Sequence, residues 1–158
     1  MTSSSLLLRT SRPRLTAVIA ALLFAAAACG DPGLLISRSI YTQAAQGPGS
    51  QVRFTDLIPF AYERVHIFTA DAPSEAIRQG LGPASNAIPA EALAARGDSA
   101  LLVFVRGTHV LFTVRHPPER GTFHDDAANR SYTPEDAVFV VDSASPPGRP
   151  ILRPVATP

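Results

Sequence analysis

Residues 100–116, with the sequence ALLVFVRGTHVLFTVRH, constrain the fold more than any other stretch of the chain. The stretch begins with six consecutive apolar side chains, which indicates a central strand over 100–106 that is covered on both faces. The following HVLFTVRH segment alternates, so Val110, Phe112 and Val114 are expected on its inward face. Because the link between the two runs is short and contains a glycine, the pattern predicts a β-hairpin.

Two further apolar runs predict strands, at residues 63–70 and 137–142. Residues 71–82 predict a helix that begins with Asp71 as its cap, whereas residues 89–97 fit either a helix or a loop. Strands joined by hairpins, with helices on one face, are typical of an α+β domain. We therefore expect a small, mostly antiparallel sheet of about four strands with one or two short helices.

Glycines and prolines mark the limits of this domain, which we predict to span residues 51–142. Residues 29–50 are interpreted as a tether with one short helix over 36–46. As a flexible coil, about 20 residues reach roughly 25 Å, enough to hold a domain clear of lipid headgroups. Residues 143–158 contain five prolines in sixteen positions. This composition predicts a Pro-rich flexible tail.

The N-terminus has the organisation of an export signal. Residues 1–16 are polar and basic, and residues 17–28, AVIAALLFAAAA, form an apolar run of twelve. A helix of that length spans roughly 18 Å, well short of a ~30 Å hydrocarbon core. The pattern therefore favours a signal peptide over residues 1–28 rather than a permanent transmembrane helix.

The end of this segment resembles the lipobox of bacterial lipoprotein signal peptides, through Ala26, Ala27, Ala28 and Cys29. The resemblance implies diacylglycerol on the Cys29 sulfur, cleavage before Cys29, acylation of the new N-terminus, and membrane lipid as a partner. It places the protein in the cell envelope, on the inner or the outer membrane. Ordinary cleavage after Ala28, which leaves a soluble protein with a free thiol, is the alternative. A lone thiol in an oxidising compartment lacks an intramolecular partner, and a thioether to lipid removes its reactivity.

Four blocks also resemble a family of small, uncharacterised bacterial lipoproteins and exported proteins: FAYERVHIF (60–68), SEAIRQGLG (74–82), LLVFVRGTHVLFTV (101–114) and YTPEDAVFVV (132–141). The resemblance covers most of the expected domain and supports the fold. It brings no catalytic residues with it.

The charge pattern argues against a nucleic-acid partner. All fourteen basic residues are arginines, and they are scattered along the chain rather than clustered. Three of them lie before residue 17, so that removal of residues 1–28 leaves eleven arginines against thirteen acids. The side chains of the mature protein therefore sum to about −2.

Candidate chemical sites are sparse. His124, Asp125 and Asp126 could offer metal ligands, but they lie in a polar loop where solvated carboxylates are the ordinary outcome. The aromatic side chains of the first half are expected in the core rather than along a binding groove; they are Phe54, Phe60, Tyr62 and Phe68. We predict no catalytic, cofactor-binding or metal-ligating residue, and Cys29 as the lipid attachment site.

The leading hypothesis is a non-enzymatic, membrane-anchored envelope lipoprotein that acts through contacts with an envelope protein partner. The alternative is a periplasmic ligand-binding or inhibitor module. A metal-dependent enzyme is a third hypothesis. A concave apolar pocket with a few converging polar groups would favour ligand binding. A flat exposed patch would favour a protein partner.

Overall fold

The structure is a computed structural model, and it describes residues 31–94 and 96–155. The predicted signal peptide over 1–28 and the predicted lipid attachment site Cys29 lie outside the described residues.

Four α-helices and eight strands make up the described chain. The helices are Pro32–Ala44 (α1), Phe54–Leu57 (α2), Ser74–Leu81 (α3) and Ala90–Ala94 (α4). The strands are Gln51–Arg53 (β1), Arg64–Phe68 (β2), Ala100–Arg106 (β3), His109–His116 (β4), Thr122–Phe123 (β5), Arg130–Tyr132 (β6), Val138–Val141 (β7) and Ile151–Pro154 (β8). Short 3₁₀ turns lie at Gly82–Ala87, Pro118–Arg120 and Asp125–Ala127.

The strands form two sheets of four rather than the single sheet of about four that the sequence predicts. One sheet has the order β1-β7-β8-β5, and the other has the order β4-β3-β2-β6. Every pairing is antiparallel except that of β5 with β8. The α+β class with a mostly antiparallel arrangement is confirmed.

Aromatic side chains fill the core that the two sheets share with α1. The Phe54 ring lies 5.1 Å from the ring of Phe139 in the first sheet and 6.2 Å from that of Phe104 in the second, measured between centroids. Phe123 meets Phe139 edge-on at 5.4 Å. Aromatic pairs in such geometry contribute about 0.5–1.5 kcal/mol beyond the area they bury.

A second, smaller core covers the opposite face of the second sheet. Phe68 of β2 and Val103 of β3 pack there against Ile77 and Leu81 of α3 and Leu93 of α4. Six of the seven residues of β3 contribute to one core or the other, because residues 100–105 are all buried. The prediction of a central strand covered on both faces is confirmed.

The hairpin of β3 and β4 has its predicted bounds but contains a β-bulge. Phe104 pairs with Phe112 and Val105 pairs with Val110, which leaves Leu111 as an extra residue. The extra residue reverses the alternation, so Val110 packs against the smaller core while Phe112 packs against the larger one. The prediction that Val110 shares a face with Phe112 and Val114 is therefore wrong.

The predicted tether is also corrected, because much of it belongs to the fold. Helix α1 begins at Pro32, and Ile36, Ile40 and Ala44 are buried in the larger core. These positions follow the i, i+4, i+8 spacing of an amphipathic helix. The folded domain therefore begins near residue 31 rather than at residue 51.

The C-terminal boundary moves as well. Strand β8 lies between β7 and β5, and Leu152 is fully buried. The backbone of Val155 donates to the carbonyl of Val138. The prediction of a flexible tail from residue 143 is wrong for this segment, because the prolines at its edges leave a short apolar stretch free to pair.

Local helix predictions are close to the observed elements. The helix predicted over 71–82 is α3, which begins after Pro73 without a side-chain cap, so the predicted Asp71 cap is wrong. The segment 89–97, left as helix or loop, contains α4. No helix in residues 31–94 or 96–155 is both long and apolar enough to cross a membrane.

Candidate functional site

The start of α1 is held tightly against the edge of the second sheet. Asp31 is the N-cap of α1, where its carboxylate accepts a hydrogen bond of 2.9 Å from the amide of Gly33. Pro32 occupies the first helical position, which needs no amide hydrogen. A Cβ on Gly33 would lie 3.3 Å from the carbonyl oxygen of Thr113 in β4, so the absence of a side chain permits this close approach. The position of Asp31 is therefore set by the fold.

An open groove of about 770 Å³ lies beside this junction. It runs between the first turn of α1, the segment 87–93 and the outer strand β4. Its apolar lining comprises Leu34, Ile88, Leu93, Val110, Leu111 and Phe112. Small-molecule sites are typically concave and largely apolar with a few polar groups, and the groove has this character.

Three charged side chains, Asp31, Arg115 and Arg120, also line the groove. Arg120 donates from Nη1 to the hydroxyl of Ser37 on α1 at 3.0 Å, which fixes its guanidinium against the helix. The bulged residue Leu111 stands at the rim and is 38% exposed. The groove therefore combines an apolar floor with two arginines and one carboxylate.

Beneath the groove, Ser37 and His116 meet in the core. The Ser37 Oγ atom lies 3.0 Å from His116 Nδ1, and both side chains are almost completely buried. Burial, together with a smaller effect of the positive charge of Arg120, lowers the pKa of His116 to about 4. The imidazole is consequently neutral at physiological pH.

A serine hydroxyl beside an imidazole has the geometry of a nucleophile and its general base. Here the pair is sealed from solvent at 0% and 1% exposure, and neither residue lines the groove. Arg120 also occupies the Ser37 oxygen as a donor. The contact therefore joins α1 to β4 inside the core and offers no surface to a substrate.

The His124–Asp126 loop is organised by ion pairs. Asp126 lies 3.2 Å from His124 Nδ1 and 3.3 Å from Arg153 Nη1. Arg153 on β8 also bonds Asp142. The amide of Ala144 and the guanidinium of Arg153 lower the pKa of Asp142. The contacts of Arg153 connect the loop to β8. Asp125, the other carboxylate of the loop, is exposed.

The four aromatic candidates, and His66 of β2 beside them, occupy structural positions. Tyr62, Phe54 and Phe68 are buried and Phe60 packs against the larger core, which confirms the interpretation of this group as core. His66 is half-buried and stacks on Phe68 with centroids 6.1 Å apart. Within the part of the chain that the structure describes, no group of three or more His, Cys, Asp and Glu side chains is placed to hold a metal ion.

The groove is the feature that the sequence did not predict. Its walls come from residues 31–34, 87–93 and 110–120, which no local pattern relates to one another. One partial signal is present in the sequence, because Leu34 and Leu35 are consecutive leucines directly after Asp31, Pro32 and Gly33. A flexible tether gives no reason for two adjacent leucines, whereas the first turn of a packed helix does.

Comparisons of the chain with protein-family models, with curated proteins and with solved structures find no match. The function is therefore inferred from the residues and geometry of this chain.

Proposed function

We propose that the chain is a lipid-anchored bacterial envelope protein, attached through an acylated Cys29, whose folded domain acts through binding contacts rather than catalysis. The observation that carries the proposal is the order of the N-terminal segments: basic residues, twelve apolar residues, small residues, then the single cysteine. Each segment matches a requirement of export and lipid attachment. Two or three acyl chains would anchor the protein stably, whereas one would not.

The start of the folded domain is compatible with this anchor. Asp31 follows Cys29 by two residues and is already the N-cap of a core helix. An anchor at Cys29 would therefore act on the whole domain through a very short link. The Ser37–His116 pair has nucleophile–base geometry but is buried, so it joins α1 to β4 and does not meet a substrate.

A ligand-binding module is the second candidate, and the groove favours it. The groove of about 770 Å³ has an apolar lining with Asp31, Arg115 and Arg120 converging on it. This volume falls in the range of small-molecule pockets, about 300–1,000 Å³. An amphipathic molecule with an acidic group would suit the two arginines.

Mass spectrometry of the mature N-terminus tests the anchor. Wild type should carry a cysteine N-terminus with acyl mass and enter the detergent phase on phase separation, whereas Cys29→Ala should do neither. A wild-type product without acyl mass that stays in the aqueous phase would refute the proposal. Native mass spectrometry of the purified mature protein addresses the second candidate, since a co-purifying small molecule should appear as a discrete added mass.

A further inference from the structure

Three of the exposed large apolar side chains lie close to the start of α1, where the described domain begins. Leu34 is 41% exposed, Leu35 is 53% exposed and Leu111 is 38% exposed. Leu34 and Leu111 face the same groove, and Leu35 is the next residue of α1. We call these three residues the leucine face.

The covalent path places this surface close to the proposed anchor. Asp31 is fixed as the N-cap of α1 and itself lines the groove. Two residues of extended chain reach about 7 Å, so Asp31 would lie within that backbone distance of an acylated Cys29, whose sulfur carries the lipid glycerol. With no long tether between them, the first turn of α1 is at the level of the headgroups whenever the protein is anchored.

The charges around the leucine face fit an anionic lipid surface. Arg38 is exposed on α1, four residues after Leu34 and three after Leu35, and so lies on the same side of the helix. Arg115 and Arg120 line the groove against a single carboxylate, that of Asp31. The mature chain as a whole has two more acidic than basic side chains, whereas the charged side chains that line the groove are two arginines and one aspartate.

From these observations we propose that the leucine face lies on the surface of a phospholipid bilayer, with Leu34, Leu35 and Leu111 entering the interface and the neighbouring exposed Arg38 at lipid phosphates. Apolar side chains flanked by basic residues are the composition of surfaces that sit in the headgroup region. The inference rests on the lipid anchor proposed above. It adds that the domain has one fixed orientation on the membrane rather than hanging free from a tether.

The chain contains no tryptophan, so a single introduced tryptophan reports its own surroundings. Lipidated full-length Leu34→Trp, Leu35→Trp and Leu111→Trp proteins would be reconstituted in vesicles of phosphatidylethanolamine and phosphatidylglycerol. Val155→Trp is the matched control, because Val155 is also 38% exposed but lines a different hollow with Arg130 and Tyr132. Brominated acyl chains should quench the three leucine-face probes, with a shift of emission to shorter wavelength, and should leave the control unquenched.

The outcomes separate the inference from the anchor on which it rests. Acyl mass at the N-terminus together with equal quenching at all four positions, or none, would overturn the orientation and leave the anchor standing. Absence of acyl mass would overturn both. A blue shift that grows with the protein-to-lipid ratio and resists brominated lipid would show that a second copy covers the face, and would also overturn the inference. Because the substituted side chains are exposed, circular dichroism should match wild type.

Discussion

The hydroxyl of Ser37 lies 3.0 Å from Nδ1 of His116, across 79 residues of sequence and inside the core. Arg120 completes the cluster by donating to the same hydroxyl. The three residues join the helix next to the proposed anchor to the edge strand of the second sheet. Through Arg120, which lines the groove, this buried polar cluster connects the core to the groove.

Acid should weaken the fold through His116. Its folded-state pKa of about 4 lies below the usual 6.5, so as the pH falls the unfolded chain binds a proton first. The stabilisation is complete above about pH 6.5, is lost progressively down to about pH 4, and amounts to about 3 kcal/mol at most. Burial and the charge of Arg64 also lower the pKa of His66, which adds a loss in the same direction.

Urea unfolding of wild type and His116→Leu at about pH 7.5 and about pH 4.5 measures this effect. The free energy of unfolding should fall less between the two pH values in the variant. His109→Leu, at an exposed position of the same strand, is the control, and its free energy of unfolding should fall as much as that of wild type. Equal losses in wild type and His116→Leu would show that another group controls the acid response.

Removing the Ser37 hydroxyl should cost stability at neutral pH. Ser37→Ala leaves Nδ1 of His116 and the guanidinium of Arg120 without their shared partner, at a cost of about 1–3 kcal/mol. Ser39→Ala, two residues further along the same helix, is the matched control, because it replaces serine by alanine with the same gain in helix propensity. It should change the free energy of unfolding by less than about 0.5 kcal/mol. Chemical denaturation of both variants decides the matter, and equal effects would contradict a role for the buried contact.

Helix α1 should behave as core. Ile40 is fully buried, so Ile40→Ala should lower the free energy of unfolding by about 2–5 kcal/mol. Leu35→Ala on the exposed side of the helix should cost less than about 1 kcal/mol. If Ile40→Ala and Leu35→Ala have the same melting temperature, α1 does not pack in the core and the prediction of a tether is correct.

Strand β8 should be equally necessary. Leu152 is fully buried between two neighbouring strands, whereas Val155 is exposed just beyond the strand. Leu152→Ala should cost about 2–5 kcal/mol and Val155→Ala less than about 1 kcal/mol in denaturant titrations. If Leu152→Ala leaves the free energy of unfolding unchanged, residues 151–154 do not contribute to the core and the prediction of a flexible tail is correct.

Gly121 should tolerate no side chain. Its φ is +113°, and a Cβ there would lie 2.6 Å from the carbonyl oxygen of Pro150, which accepts the amide of Thr122 at the start of the β5–β8 pairing. Gly107 in the hairpin turn also has positive φ, but a Cβ there meets nothing within 4 Å. Gly121→Ala should therefore destabilise clearly more than Gly107→Ala, for which about 1 kcal/mol is expected. Comparable melting temperatures for the two variants would contradict the close approach.

Local sequence patterns predicted the elements that depend on near neighbours. The bounds of β3 and β4 follow from a continuous apolar run, a glycine link and an alternating run, all within 17 residues. The bulge at Leu111 could not be predicted in this way. The alternation of side chains in β4 does not show that one of its residues has no partner in β3. Segments rich in glycine or proline were misassigned for a related reason. Their short apolar stretches have little intrinsic tendency to form a helix or strand. They become ordered only when they are buried against the rest of the chain.

The sequence by itself determined the α+β class and the hairpin, because each depends on periodicity or composition over a few consecutive residues. Only the tertiary structure decided that residues 32–44 and 151–154 belong to the core, that Ser37 meets His116, and that Leu34 and Leu111 share one groove. Those relationships join residues tens of positions apart, and the free energy that selects them comes from burial of surface that no local window contains.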